Sequence, residues 1–207
     1  MAAKRVADTA DLVKFRELQQ LAYAAAQSVA QTLEPGVTER QAARRLREHL
    51  IERGVQDWFH TPFAWFGDRT AFRGFRTPLQ FFPTARKLAG NMPFILDCAP
   101  VRDGYMADIG YAGCLGTNRI FDQLMDDLGE YRTLIVERMH HRSPLWADGA
   151  ISDHPATPGL WAVEPHIGFR DVGVKFEEIL VVTSGGSAYW LDDDLPHVRR
   201  WQRTAAA

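Results

Sequence analysis

The sequence predicts an α+β fold with antiparallel strands, on three observations. Two amphipathic helical segments open the chain, a hairpin of apolar strands follows, and a further helix precedes a C-terminal run of β-rich segments. The regular alternation of strand and helix that builds a parallel sheet is missing, and that alternation is what separates α/β from α+β folds.

Each element has its own local cause. Residues 11–32 place Leu12, Phe15, Leu18, Leu21, Ala22 and Ala25 at three- and four-residue steps, an apolar stripe of helical period that Pro35-Gly36 stops. Thr38 can cap a second helix, with Gln41 reaching back as in a capping box, and Ala42, Leu46 and Leu50 carry the stripe to Gly54. Residues 58–66 read as one or two aromatic-rich strands, followed by a loop containing Gly and Arg over 67–78. Residues 121–139 form a third helix with Leu124, Leu128, Tyr131 and Ile135 on one side. Residues 160–167, 174–183 and 187–191 are β-rich, and Thr204 with its three alanines reads as a frayed tail. The 207 residues are 46% hydrophobic, enough for one large core, so residues 1–207 are read as a single domain.

Composition narrows the function. Lys+Arg number 24 against Asp+Glu 26, a net charge of −2, and no basic stripe interleaved with aromatics occurs, which argues against nucleic acid as a partner. Charges or prolines break every apolar stretch well before the ~18 residues of a membrane span. The opening MAAKRVADTADLVKF lacks the apolar core of a signal peptide, so the cytoplasm is the expected compartment and no membrane partner is expected. Cys98 and Cys114, without CxxC spacing, read as small buried hydrophobes in the reduced state.

The segment LDCAPVRDGYMADIG (residues 96–110) carries the chemistry. Asp97 and Asp108 are 11 positions apart (108 − 97), each beside an apolar run, with Asp103-Gly104 between them as a tight-turn signal. The segment is therefore a β-hairpin with the two aspartates roughly facing each other. Two buried carboxylates held across a hairpin repel, and one must take a proton unless a cation sits between them. A divalent metal is the simplest answer. Two further acids lie in C-terminal strands: Glu164 inside LWAVEP, and Glu177 inside VKFEEILVV. Strand alternation puts Glu177 on the face of Lys175 and Ile179, and Glu178 on the face of Phe176 and Leu180. At least one of the pair therefore points where an isolated charge would be costly. The acidic run from Asp192 to Asp194 reads as a solvated strand end, because contiguous acids cannot all face one ion.

GNMPFILDCAPVRDGYMADIG, followed by LWAVEPHIGF and GVKFEEILVVT in that order, resembles the pita-bread metallopeptidases, a family that includes methionine aminopeptidase, aminopeptidase P and prolidase, with creatinase as a relative acting on a non-peptide bond. LEPGVTERQAARRLREHLIERG resembles the helix junction of the same family, and the likeness covers most of residues 11–191. It implies a pita-bread fold, a curved antiparallel sheet covered by helices, here shortened before Glu164. It also implies two metal ions held by two Asp, one His and two Glu. Asp97, Asp108, Glu164 and Glu177 match the four acids, with Glu178 as second choice for the last. The family's histidine has no clear counterpart, since the interval from Asp108 to Glu164 is 56 residues (164 − 108) and contains no HGxG. Of His140, His141 and His154, the first two read as a helix end, and His154 is the candidate to complete the site. Residues 69–73 stand where many members carry a substrate-facing histidine, and His60 falls too early to match it.

Four ionised carboxylates are balanced by two divalent ions, and oxygen-rich ligation favours Mn, with Co, Fe or Zn as alternatives. Such a pair can activate water against a polarised carbonyl, so amide hydrolysis is the natural reaction. The substrate expected is a peptide or small amide, cleaved by an aminopeptidase of Xaa-Pro or methionine type. The rival readings are a creatinase-like hydrolase of another C–N bond and a binding module with an incomplete metal site. A homodimer is left open. Phe59, Phe63, Trp65, Phe66, Phe72 and Phe75 are candidates to bind an apolar substrate side chain, with core packing the alternative for most. A missing imidazole would leave one metal bound tightly and the second weakly.

Overall fold

The computed structural model describes residues 9–140, 145–147, 150–152 and 157–205. In chain order the elements are α1 (Thr9–Gln31), α2 (Glu39–Ile51), β1 (Asp57–Phe66), short 3-10 turns at Gly67–Ala71 and Pro78–Phe81, β2 (Met92–Arg102), β3 (Tyr105–Met106), β4 (Ile109–Leu115) and α3 (Arg119–His140). There follow β5 (Leu145–Ala147), β6 (Ala150–Ser152), β7 (Gly159–Val163), β8 (His166–Phe169), β9 (Val172–Lys175), β10 (Glu178–Val182), β11 (Ala188–Trp190) and α4 (Pro196–Ala205). All described strand pairs are antiparallel. β2 is flanked by β1 on one side and by β3 and then β4 on the other, β10 lies between β7 and β11, β8 pairs with β9, and β5 pairs with β6.

Local signals act where the sequence puts them. Thr38 accepts a hydrogen bond from the Gln41 amide while the Gln41 side chain accepts from the Thr38 amide, the reciprocal cap that starts α2. Asp103 and Gly104 both have positive φ, 53° and 80°, as a two-residue hairpin turn between right-twisted strands requires. Helix α4 is, with β5 and β6, an element the sequence reading misses. It begins at Pro196, where a missing N–H costs nothing, and it exists as a helix because Val198 and Trp201 dock on the core. Of the tail predicted to fray from Thr204, Thr204 and Ala205 belong to this helix, and residues 206–207 lie outside the described residues.

Buried side chains form two main clusters. One gathers α1 and α2 over β1, β2 and β4, and the other gathers α3 with β9, β10 and β11. Cys98 is buried in the first, and both cysteines are free thiols. Polar groups of α1 join the halves. Gln19 accepts from the Ile179 amide at 2.8 Å, and one turn later the buried Tyr23 hydroxyl donates to the Glu177 carbonyl at 2.9 Å and takes the Glu177 amide at 3.2 Å. Tyr23→Phe leaves that buried amide unpaired and should destabilise the fold by about 1–3 kcal/mol, read as a lower urea midpoint.

The turn after β1 is held as tightly. The buried Glu39 carboxylate accepts from the Phe66 amide, Arg69 Nε, and both the amide and hydroxyl of Thr84. Gly173 of β9 lies directly against this turn, and a Cβ there would run into the Thr70 carbonyl and lie 2.8 Å from the Ala71 Cα. Because the obstacle is backbone, Gly173→Ala should cost at least ~1–3 kcal/mol. Gly90→Ala, which meets nothing within 4 Å, should change stability by no more than ~0.5 kcal/mol.

Candidate metal centre

The four acids named from the sequence converge. Asp97 lies in the middle of β2, paired with Gly110 of β4, and Asp108 immediately precedes β4, so the hairpin brings both carboxylates to one place. Glu164 follows the end of β7, and Glu177 lies between β9 and β10. Two sets of three donors result, His60/Asp97/Asp108 and Asp97/Glu164/Glu177, each with ligand atoms within 4.8 Å of one another. Asp97 belongs to both.

Two cations already face these acids. Lys175 is 2% exposed, and its ammonium donates to Asp97 Oδ2 at 2.5 Å, to Glu164 Oε1, and to Glu177 Oε2 at 3.3 Å. Burial disfavours its charge, but Asp97, Glu177 and Glu164 outweigh that and hold the lysine well above its ordinary range. Alternation places it there: Lys175 and Glu177 share one strand face, while Glu178 points the other way to Arg132 and His197.

The second cation is His60, which sequence matching set aside as too early. Its Nε2 stands 3.1 Å from Asp108 Oδ1 and 3.5 Å from Asp97 Oδ1, while Nδ1 lies 3.0 Å from the Thr61 carbonyl. The sequence carried a signal for this. Pro62 cannot donate to a ladder, and β1 slips register on both sides of His60, between Trp58 and His60 and again between His60 and Phe63. The slippage turns the imidazole toward the aspartates of the neighbouring hairpin. His141 and His154, including the candidate for the missing imidazole, lie outside the described residues.

Both His60 nitrogens therefore face acceptors, and a neutral imidazole has one N–H to give. Either the ring is protonated or a cation sits at Nε2. Without metal, burial lowers the His60 pKa, but the hydrogen bond to Asp108 and the charge of Asp97 override this and raise it to about 9. Burial pushes the Asp97 and Glu177 carboxyls up, with Lys175 pulling each back, and Glu177 is also pushed up by its neighbouring acids. A raised histidine pKa stabilises the fold fully below the ordinary value of 6.5, and that contribution is lost as pH rises through about 9. In metal-free protein, His60→Gln should therefore flatten the decline of denaturant stability between neutral pH and 10; an unchanged slope would show that His60 is not charged.

The donors of the first set fit a divalent ion. Separations of 3.1 and 3.5 Å suit ligands arranged around one centre, and an Nδ1–H bonded to a carbonyl frees Nε2 to coordinate. In the second set, Lys175 stands among the three carboxylates.

The remaining sequence candidates divide. Phe63 stacks on His60 with centroids 5.1 Å apart and Phe59 is 72% exposed, whereas Trp65 and Phe66 are buried. Phe72 and Phe75 pack with Phe81 in an aromatic cluster that continues through Trp65 to Phe63. The reading of Asp192 to Asp194 as a solvated strand end holds for Asp193 and Asp194, which are exposed just past β11 while pairing with Arg132 at 3.0 Å and Arg199 at 2.8 Å, and is corrected for Asp192, which is buried.

Two aspartates, two glutamates and His60 thus converge on an α+β scaffold as a set of donors that could hold a metal ion. Residues 13–146 match metallopeptidase family M24, and the chain belongs to that family. No curated protein matches it by sequence. Among solved structures it is similar to an X-Pro aminopeptidase from Thermotoga maritima MSB8 (TM-score 0.75, 15% identity, covering 94% of this chain and 64% of that one). It is likewise similar to a recombinant prolidase from Thermococcus sibiricus (0.70, 16%, 92% and 62%) and to proline aminopeptidase P II from Yersinia pestis (0.66, 12%, 96% and 60%). The fold is thus the pita-bread fold, and the chain spans less than two thirds of the length of these relatives.

Proposed function

We propose that this chain is a metal-dependent hydrolase of amide bonds that removes an N-terminal residue, with Xaa-Pro or N-terminal methionine peptides as the substrate class. The observation that supports it is the charge of the cluster. Four carboxylates face one ammonium and one imidazole, a surplus of negative charge that suits both a divalent ion and the free α-ammonium of a peptide. His60, Asp97 and Asp108 would hold the ion, with Mn favoured by the oxygen-rich set. Such an ion supplies Lewis acidity toward the scissile carbonyl and lowers the pKa of water. Glu164, whose side chain is 46% exposed, is the carboxylate of the four most open to solvent and is placed to accept a proton there. Glu177, buried beside the Lys175 ammonium at 3.3 Å, adds to the negative charge of the cluster. Phe63 and the exposed Phe59 offer an apolar wall beside His60. The printed names of the neighbours, X-Pro aminopeptidase and prolidase, favour the Xaa-Pro class.

The test is release of the N-terminal residue from Xaa-Pro and Met-Xaa peptides by purified chain with Mn, against a guanidino compound as the creatinase-like control. Activity should vanish with chelator and return with Mn. Turnover confined to the guanidino compound would replace the peptidase reading, and metal binding without turnover of any substrate would leave a binding module.

A further inference from the structure

The Lys175 side chain occupies a place where the cluster would otherwise accept an ion. A cation held by Asp97, Glu164 and Glu177 would stand about 2.0–2.6 Å from each oxygen. The lysine Nζ is 2.5 Å from Asp97, in contact with Glu164 and 3.3 Å from Glu177. The other set contains His60, whose imidazole can itself serve as a ligand, whereas an ammonium cannot, and the lysine is not a surface residue leaning in, since it is 2% exposed.

The fold makes room for this side chain. Lys175 closes β9, and its stem passes over Gly110 of β4, where a Cβ would run into Cε and lie 3.0 Å from Cδ. Gly110 is the register partner of Asp97, so the missing side chain opens the path that leads to that carboxylate. Its φ is not positive, so no turn or backbone strain calls for glycine here. The Trp65 ring, buried and 5.9 Å from Nζ, lies on another side of the ammonium.

We infer that Lys175 is a built-in replacement for one metal ion, so that this chain takes a single divalent cation, at His60/Asp97/Asp108, and cannot form a metal pair while the lysine is in place. Charge does not decide the count. Four carboxylates, the ammonium and one divalent ion leave a single negative charge, and a second ion would leave a single positive one. Space decides, because an ion and an ammonium cannot share the same three oxygens at coordination distance. The ion in the other half rests on the metal-dependent reading above; the role of Lys175 does not.

The experiment counts Mn per chain by elemental analysis after loading and desalting, and reads Mn–Mn coupling by electron paramagnetic resonance. Wild type, Lys175→Met and Gly110→Ala are compared. The methionine variant removes the charge at similar volume. The alanine variant keeps every charge but pushes the lysine stem aside, which covers the case in which Lys175→Met does not fold. One uncoupled Mn in wild type, rising to a coupled pair in either variant, is the expected result. No Mn in wild type but one in either variant would also support the replacement, while ending the metal-dependent reading for the natural chain. A coupled pair in wild type would overturn the inference and leave the hydrolase reading standing. Equal Mn content in wild type and in both folded variants would overturn it as well.

Discussion

Asp97→Asn is expected to reduce Mn affinity by at least ~100-fold and peptide turnover with it, the largest functional loss of any single change in the cluster. The scale follows from single changes at the shell around a metal, which cost about 10–100-fold, and Asp97 is a direct donor. It is also the one residue common to both donor sets. Its two oxygens face different partners, Oδ1 toward His60 at 3.5 Å and Oδ2 toward Lys175 at 2.5 Å. An amide in its place offers no charge to the ion and turns an NH₂ toward one of two cations. Asp103→Asn is the control, because it lies in the hairpin turn with a φ of 53°, which asparagine tolerates. Titration calorimetry with Mn reads the affinity, and circular dichroism checks that both variants fold. Equal Mn affinity in wild type and Asp97→Asn would remove Asp97 from the site.

The acids of this site were legible because each rests on a local rule. An Asp-Gly turn between apolar runs forces a hairpin, and the hairpin forces Asp97 near Asp108. A period of two puts Glu177 and Lys175 on one face and Glu178 on the other. Both consequences hold in the structure. What escaped depends on distance in space. His60 enters only because β1 slips register around Thr61-Pro62, and a slip of one residue reverses the direction of a side chain. The proline was a visible warning, but its effect on aim was not. Lys175 is visible as a strand lysine on the glutamate face; that it reaches Asp97 follows only once β9 is packed over Gly110. The buried ammonium is the result of that packing. Helix α4 was invisible for a third reason. Ten residues are too few to hold a helix by propensity, and the docking that stabilises it is tertiary.

Arg132→Met is expected to destabilise the fold by about 3–5 kcal/mol, the largest stability loss among single substitutions at a charged residue here. Arg132 donates two parallel bonds to the fully buried Glu178, at 2.7 and 2.8 Å, and a third to the Asp192 carbonyl at 3.0 Å. His197 takes the same Glu178 oxygen at 2.8 Å. Burial pushes the Glu178 carboxyl up, but the charge of His197 and the Arg132 bonds prevail, leaving it below its ordinary value of 4.5. A depressed carboxyl contributes stability that is fully present above the unfolded value and is lost as pH falls through the folded one. Wild type should therefore lose stability as pH falls below about 4.5, and Glu178→Gln should be weaker at neutral pH but flatter in acid. Removing the arginine alone strands a buried charge, whereas Arg132→Met with Glu178→Leu removes both partners and should recover most of the loss. The effect should also reach the metal centre, because Glu178 anchors the strand start directly beside Glu177. Denaturant midpoints for the two singles and the double, measured with and without Mn, separate the two consequences. A double variant as unstable as Arg132→Met would show that the arginine acts through its packing on Trp190, 4.9 Å from the ring centroid, and not through its charge.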